Sequence, residues 1–145
     1  MKIIAQRVST SKVIVNGVII SDLGYGLLLY VGFSKTDTMK DVEFLADRIL
    51  NLRIFEDETG KMNLSVNEVN GQINIISQFT LYADTKKGRR PGFSDAMEPE
   101  KAKELYEYFI KLLKFSKLIV GEGSFGDFMK IESTNEGPAT FILEK

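Results

Sequence analysis

Val13-Ile14-Val15-Asn16-Gly17-Val18-Ile19-Ile20 sets two β-branched runs on either side of an Asn-Gly pair. Both central positions of a two-residue hairpin turn need φ > 0, and Asn and Gly tolerate that best. The stretch therefore predicts two antiparallel strands. Outward on the N-terminal side, Ile3 to Val15 continues as one long β-rich segment. Outward on the other side, the Asp22–Gly24 turn leads to a third apolar strand, Gly26 to Phe33.

Further along, the period changes. Val42, Leu45, Ala46, Ile49 and Leu50 recur at helical spacing, so a helix is expected from about Thr38 to Asn51. Thr38 and Asp41 have capping-box spacing, with Asp in place of Glu. A short strand (Leu52–Phe55), a turn (Asp57–Gly60) and an extended piece (Met62–Val66) follow. From Gln72 to Tyr82 the pattern alternates, with Ile73, Ile75, Ser77, Phe79 and Leu81 on one side and Asn74, Ile76, Gln78, Thr80 and Tyr82 on the other. A polar, basic loop covers Ala83 to Asp95. Pro99 suits the first turn of a second helix, with Ala102, Leu105, Phe109, Leu112 and Leu113 on its apolar face. Strands are expected at Leu118–Val120, Phe128–Ser133 and Ala139–Leu143. Strands and helices that are grouped rather than alternating point to an α+β class. The expected architecture is a largely antiparallel, barrel-like sheet with two helices, in a single domain over residues 1–145.

Composition narrows the function. The 145 residues are 43% hydrophobic and 27% charged, with a net charge of −1, so no global pull towards nucleic acid or anionic membrane is expected. The longest apolar run, Gly26 to Phe33, is too short to span a bilayer. The opening MKIIAQRVST has no signal-peptide core, because Gln6 and Arg7 interrupt it. A cytoplasmic protein without a membrane partner is expected. The chain has no cysteine and no histidine. Thiolate nucleophiles, Cys-based metal sites and the usual histidine general base are thereby excluded. No carboxylate spacing suggests a metal site.

Several segments invite a functional reading beside a structural one. Ser77 falls on the apolar side of its strand, so its hydroxyl needs a partner. Either it bonds neighbouring backbone, or the strand end forms a pocket with Gln78 and Thr80. Asn135-Glu136-Gly137-Pro138-Ala139-Thr140 has the chemistry of a turn. Arg7 interrupts an apolar strand; it is solvated if it points outward and needs acceptors if it points inward. Lys86-Lys87-Gly88-Arg89-Arg90 carries +4 and leaves the rest of the chain at −5, since the total is −1. It is either a solvated loop or a phosphate contact. Gly121-x-Gly123-x-x-Gly126 matches a dinucleotide fingerprint in form only, because a strand rather than a helix follows it.

Ser77-Gln78-Phe79-Thr80-Leu81 followed by Asn135-x-Gly137-Pro138-x-Thr140 resembles the D-aminoacyl-tRNA deacylases. The resemblance extends to Gln6-Arg7-Val8, Asn51-Leu52-Arg53-Ile54-Phe55, Lys87-Gly88-x-Arg90-Pro91-x-Phe93 and Phe125-Gly126-x-x-Met129, and so covers the whole chain. Asp127 departs from the small residue usual beside Gly126. The resemblance implies a homodimeric barrel-like fold and an ester hydrolase. Its substrate would be the 3′-terminal adenosine of tRNA charged with a D-amino acid or glycine. L-aminoacyl-tRNA would be rejected by a Gly137–Pro138 pair, cis in the family, that enters the partner's active site. Ser77, Gln78, Phe79 and Thr80 would line the catalytic pocket; Arg7 would orient the Gly-Pro carbonyls, and Met129 would contact substrate. The family is thought to use the substrate's own 2′-hydroxyl and backbone positioning, with no cofactor, metal or DNA partner. Two competing readings are a non-catalytic RNA-binding module and a small-molecule hydrolase.

Overall fold

The structure is a computed structural model that describes residues 1–86 and 88–145. The Asn-Gly turn forms as expected, with φ of 50° at Asn16 and 80° at Gly17. It joins β1 (Lys2–Val15) to β2 (Val18–Leu23) in antiparallel pairing. β3 (Gly26–Gly32) runs antiparallel to the first half of β1, from Lys2 opposite Gly32 to Val8 opposite Gly26. The opposite edge of β1 pairs along nearly its whole length with β8 (Met129–Glu144).

Beyond β3 the expected antiparallel sheet gives way to a mixed one. β6 (Gln72–Ser77) lies parallel to β3, and β7 (Val120–Glu122) lies parallel to β6. The reason lies in the connections. Helix α1 (Met39–Asn51) falls between β3 and β6, and helix α2 (Pro99–Lys114) falls between β6 and β7. Each helix is a crossover, and a crossover returns the chain in the same direction. A small antiparallel pair, β4 (Phe55–Glu56) and β5 (Met62–Leu64), completes the first crossover. The sheet order β2-β1-β3-β6-β7 curls until β7 faces β2 again, giving a nearly closed barrel. At the seam, the Ser21 hydroxyl of β2 donates to Asn74 Oδ1 of β6 at 3.1 Å, and Asn74 Nδ2 donates to Ser11 Oγ of β1 at 3.0 Å. All three residues are buried, so the seam is tied by a satisfied polar cluster.

Both helices cover one face of the sheet. Val42, Leu45 and Ile49 of α1 and Leu105, Phe109 and Leu113 of α2 pack with Ile3, Leu27, Leu29, Ile73 and Ile75. A second cluster, Val8, Val13, Leu28 and Ile76, fills the other side and is joined by Met129 and Ile131. The central strands are thus buried on both faces, as parallel strands usually are. That is why Asn74 and Ile76 are buried although their side of the strand reads as the polar one. The capping box at α1 forms: the Asp41 carboxylate accepts from Thr38 N at 2.9 Å and from Thr38 Oγ1 at 2.7 Å.

Several boundaries differ from expectation; the short strand expected at Leu52–Phe55 is Phe55–Glu56, and the extended piece expected at Met62–Val66 is a strand over Met62–Leu64. The strand beginning at Gln72 stops at Ser77, and Phe79–Tyr82 forms a 3-10 turn. Its neighbour β3 ends at Gly32, and the last tie is Gln78 N to Val31 O at 2.7 Å. The strand near Leu118 begins at Val120. The two expected C-terminal strands are one long strand, β8, with Asn135–Thr140 inside it.

Candidate active site

Ser77 ends β6 beside the tip of β3, and the chain turns away from the sheet at Gln78. This leaves a cleft of about 470 Å³ where the second core cluster opens to solvent. Its floor is Ile76 and Ile131, and its walls include Ser77, Gln78, Phe79, Phe125 and Met129. Ser77 is half-buried and lines the cleft together with Gln78. Thr80 lies on the exposed side of the turn, where its Oγ1 accepts from Gln78 Nε2 at 2.6 Å, and it is not part of the cleft wall. No carboxylate approaches the Thr80 hydroxyl as a base among the described residues. The backbone amides of Phe79 and Thr80 donate no hydrogen bond among the described residues, because they open the turn and have no carbonyl one turn back.

The wall is shaped by glycines. Gly123 N donates to Ile75 O at 2.8 Å, and a Cβ on Gly123 would stand 2.6 Å from Met129 Sδ. Gly126, at φ +83°, turns the chain before the exposed Phe128. The formal G-x-G-x-x-G stretch therefore supplies close backbone approach and a turn into β8, with no helix following.

The second motif forms a protrusion. Gln6 pairs with Thr140 and Val8 pairs with Asn135, so four residues of β8 stand opposite Arg7 alone. Gly137 and Pro138 are exposed at its tip, and the bond between them is cis. What reads as a plain turn between strands is an excursion within one strand. The motif side chains tie its base: Asn135 Oδ1 accepts from Ala139 N at 2.9 Å, and Asn135 Nδ2 donates to Thr140 Oγ1 at 3.0 Å. Arg7 lies beneath, 5% exposed, which corrects the solvated alternative. Its Nη1 donates to Ile54 O at 2.8 Å, Nε to Glu136 O at 3.4 Å, and Nη2 pairs with Glu56 Oε1 at 3.3 Å. A buried guanidinium persists only with such acceptors. The carbonyl that Arg7 holds is that of Glu136, immediately before Gly137, rather than those of Gly137 and Pro138.

The candidate residues thus fall into two groups. Ser77, Gln78, Phe79 and Met129 share the cleft; Arg7, Gly137 and Pro138 share the protrusion and are absent from the cleft wall. Residues that sequence reasoning missed are Phe125 and Phe128, the second aromatic wall, and Asn135, whose side-chain role follows only from the strand register.

Residues 4–144 match the family model described as D-Tyr-tRNA(Tyr) deacylase. The chain belongs to the D-Tyr-tRNA(Tyr) deacylase family. The activity of this deacylase family is hydrolysis of the ester between an amino acid and tRNA. A D-aminoacyl-tRNA deacylase of Clostridium botulinum (strain Alaska E43 / Type E3) is 51% identical over 99% of this chain and 97% of its own length. Another of that name from Thermosipho melanesiensis is 50% identical over the same shares of both chains. Among solved structures, one described as c-Myc DNA Unwinding Element Binding Protein superimposes with a TM-score of 0.94 at 40% identity, covering 100% of this chain and 99% of the other. A probable eukaryotic D-amino acid tRNA deacylase shares the fold, with a TM-score of 0.87 at 18% identity, over 98% and 97% of the two chains. The family match thus runs from residue 4 to residue 144.

Proposed function

We infer that this deacylase removes D-amino acids, and mischarged glycine, from the 3′-terminal adenosine of tRNA. We infer also that two copies of the chain build each active site. The observation that carries this reading is the separation of the two motifs. The cleft beside Ser77–Phe79 has the volume for an aminoacyl-adenosine, and its wall includes neither Gly137 nor Pro138. The Gly137–Pro138 protrusion offers bare carbonyls and has no cleft of its own. A second copy would bring one to the other. Exposed apolar side chains on the same strand as the protrusion and just before it, Ile142 at 68% and Phe128 at 83%, support burial against a partner.

The chemistry follows from what the cleft holds. An aminoacyl ester is already activated. Water attacks the ester carbonyl carbon, the bond from that carbon to the ribose oxygen breaks, and the proton lost by water passes to that oxygen. Free amino acid and uncharged tRNA result. The adjacent 2′-hydroxyl of the substrate can relay the proton, so no histidine is needed. The open amide of Phe79, on the cleft wall, suits the developing oxyanion, and one such donor is typically worth ~2.7–4 kcal/mol. Among the described residues the Thr80 hydroxyl has no base beside it and holds the Gln78 carboxamide instead, so support of Gln78 is a better role for it than nucleophilic attack.

Chirality has a steric reading. A carbonyl of the protrusion accepts a hydrogen bond from the substrate α-ammonium. An L side chain would then point into the protein backbone, whereas a D side chain points out of the cleft. Discrimination comes from a clash with the wrong substrate rather than from a contact with the right one. Glycine has no side chain to clash and is hydrolysed too.

Mixed subunits test the shared site. Gly137→Val places a Cβ 3.1 Å from Arg7 Nη2 at φ +118°, so it deforms the protrusion; Gln78→Ala strips the cleft. Each variant alone is expected to lose D-Tyr-tRNA hydrolysis by tenfold or more. Mixed, they are expected to regain about a quarter of wild-type activity, because half of the molecules pair unlike subunits and each such pair has one intact site. No recovery on mixing would place both motifs in one subunit's site.

A further inference from the structure

The basic segment that follows the Phe79–Tyr82 turn has no part in the hydrolysis described above. We propose that Lys86, Arg89 and Arg90 bind the phosphates of the single-stranded acceptor end of tRNA as it leaves the cleft. The inference rests on the proposed deacylation for the identity of its ligand.

Three observations carry it. The first is placement. The segment is closed at its base by paired hydrogen bonds, Asp84 N to Gly92 O at 2.7 Å and Gly92 N to Asp84 O at 3.0 Å. Just beyond that base, the Phe93 ring packs on the Phe79 ring with centroids 5.0 Å apart. Phe79 is a wall of the cleft, so the base of the basic segment is anchored beside that wall. The second is charge. Lys86, Arg89 and Arg90 are exposed and form no ion pair among the described residues. Of the nearby carboxylates, Asp95 pairs with Lys35 at 3.2 Å, and Asp84, whose Oδ1 accepts from Lys86 N at 2.9 Å, offsets one of the positive charges. Lys87 lies outside the described residues and is not needed. The third is contrast. Asp127 is the one carboxylate among the described residues that line the cleft, and it accepts from Ser124 Oγ.

The substrate explains why such an arrangement is useful. The reacting ester sits at the end of a polyanion, so the phosphates preceding the terminal adenosine must cross the rim. The basic segment beside the Phe79 wall attracts them. On a chain with net charge −1, this local field supplies the attraction that the whole molecule lacks. The exposed faces of Phe79 and Phe93, 59% and 41% accessible, offer a stacking surface for a base on the same path.

The test compares two substrates, D-Tyr-tRNA and 3′-O-D-tyrosyl-adenosine, which has the ester but no phosphate. The double variant Arg89→Ala/Arg90→Ala is expected to lose tenfold or more in kcat/KM on the tRNA and to keep its rate on the adenosine ester. The slope of log kcat/KM against log salt should become shallower by about 1.4, as for two lost phosphate contacts on a single strand. Arg89→Lys/Arg90→Lys should restore most of the rate. Unchanged tRNA hydrolysis, or an equal loss on both substrates, would overturn the proposal. Filter binding of uncharged tRNA to wild type and double variant separates the two readings. If the wild type hydrolyses neither D-ester, the deacylation fails, while loss of tRNA binding in the variant would still uphold the phosphate contacts.

Discussion

Asn135 illustrates how much a single side chain sets here. Its carboxamide closes the base of the Gly137–Pro138 protrusion through both its atoms. Ala139 is buried, so its N–H has no water to turn to if Asn135 is truncated. Leaving such a donor unpaired typically costs about 1–3 kcal/mol. Asn135→Ala is expected to lower the urea midpoint by a corresponding amount and D-Tyr-tRNA hydrolysis by about tenfold. Asn135→Asp keeps the acceptor and should recover most of both. An Asn135→Ala protein as active as wild type would mean that the protrusion needs no tie at its base. Arg7 belongs to the same support, and its case shows the limit of reading one strand alone. Alternation along β1 leaves both directions open to it. Burial follows from Ile54, Glu56 and Glu136, which are distant in sequence and supply its acceptors.

At the scale of elements, the hairpin, both helices and the capping box are legible because each is written in neighbouring residues. The direction of β6 and β7 is not. It depends on each helix acting as a crossover, and local periodicity is silent about which strands a helix connects. The seam between β2 and β7 shows the same limit. Gly121 reads as part of a loop motif, yet its place is fixed by long-range packing. A Cβ there would stand 2.1 Å from Ser21 Oγ and 3.1 Å from Asn74 Oδ1. Gly121→Ala must therefore displace the Ser21–Asn74 hydrogen bond. Overpacking of this kind costs typically about 1–3 kcal/mol. A drop of that size in urea stability is expected, with kcat on D-Tyr-tRNA largely kept because Gly121 is outside the cleft wall. Unchanged stability would mean that the barrel is not closed by this contact. For the candidate site, Ser77–Phe79 and Gly137–Pro138 were both legible from their motifs. Their separation within one copy was not, because it depends on where β8 crosses the sheet.

For the whole molecule, the absence of histidine shapes the pH response. The Thr38 hydroxyl beside Asp41 holds that carboxyl below its ordinary value, and the Thr59 hydroxyl does the same for Asp57. A group whose folded pKa is lowered contributes stability above its unfolded pKa and loses it as pH falls through the folded value. These carboxylates thus set an acid edge below about pH 4. Burial pushes the Tyr82 phenol up to about 12. Its neutral form is favoured in the fold, so stability is intact below pH ~10 and is lost as pH rises from there towards about 12. Urea midpoints measured across pH should show these two edges with no histidine step near pH 6–7. A step there would contradict this reading.

The central claim concerns the chirality of the ester. Single-turnover hydrolysis of D-Tyr-tRNA and L-Tyr-tRNA by the purified wild-type protein tests it most directly. The account predicts rapid loss of the D-ester, with the L-ester spared by at least a hundredfold. Hydrolysis of both esters at similar rates, or of neither, would contradict it.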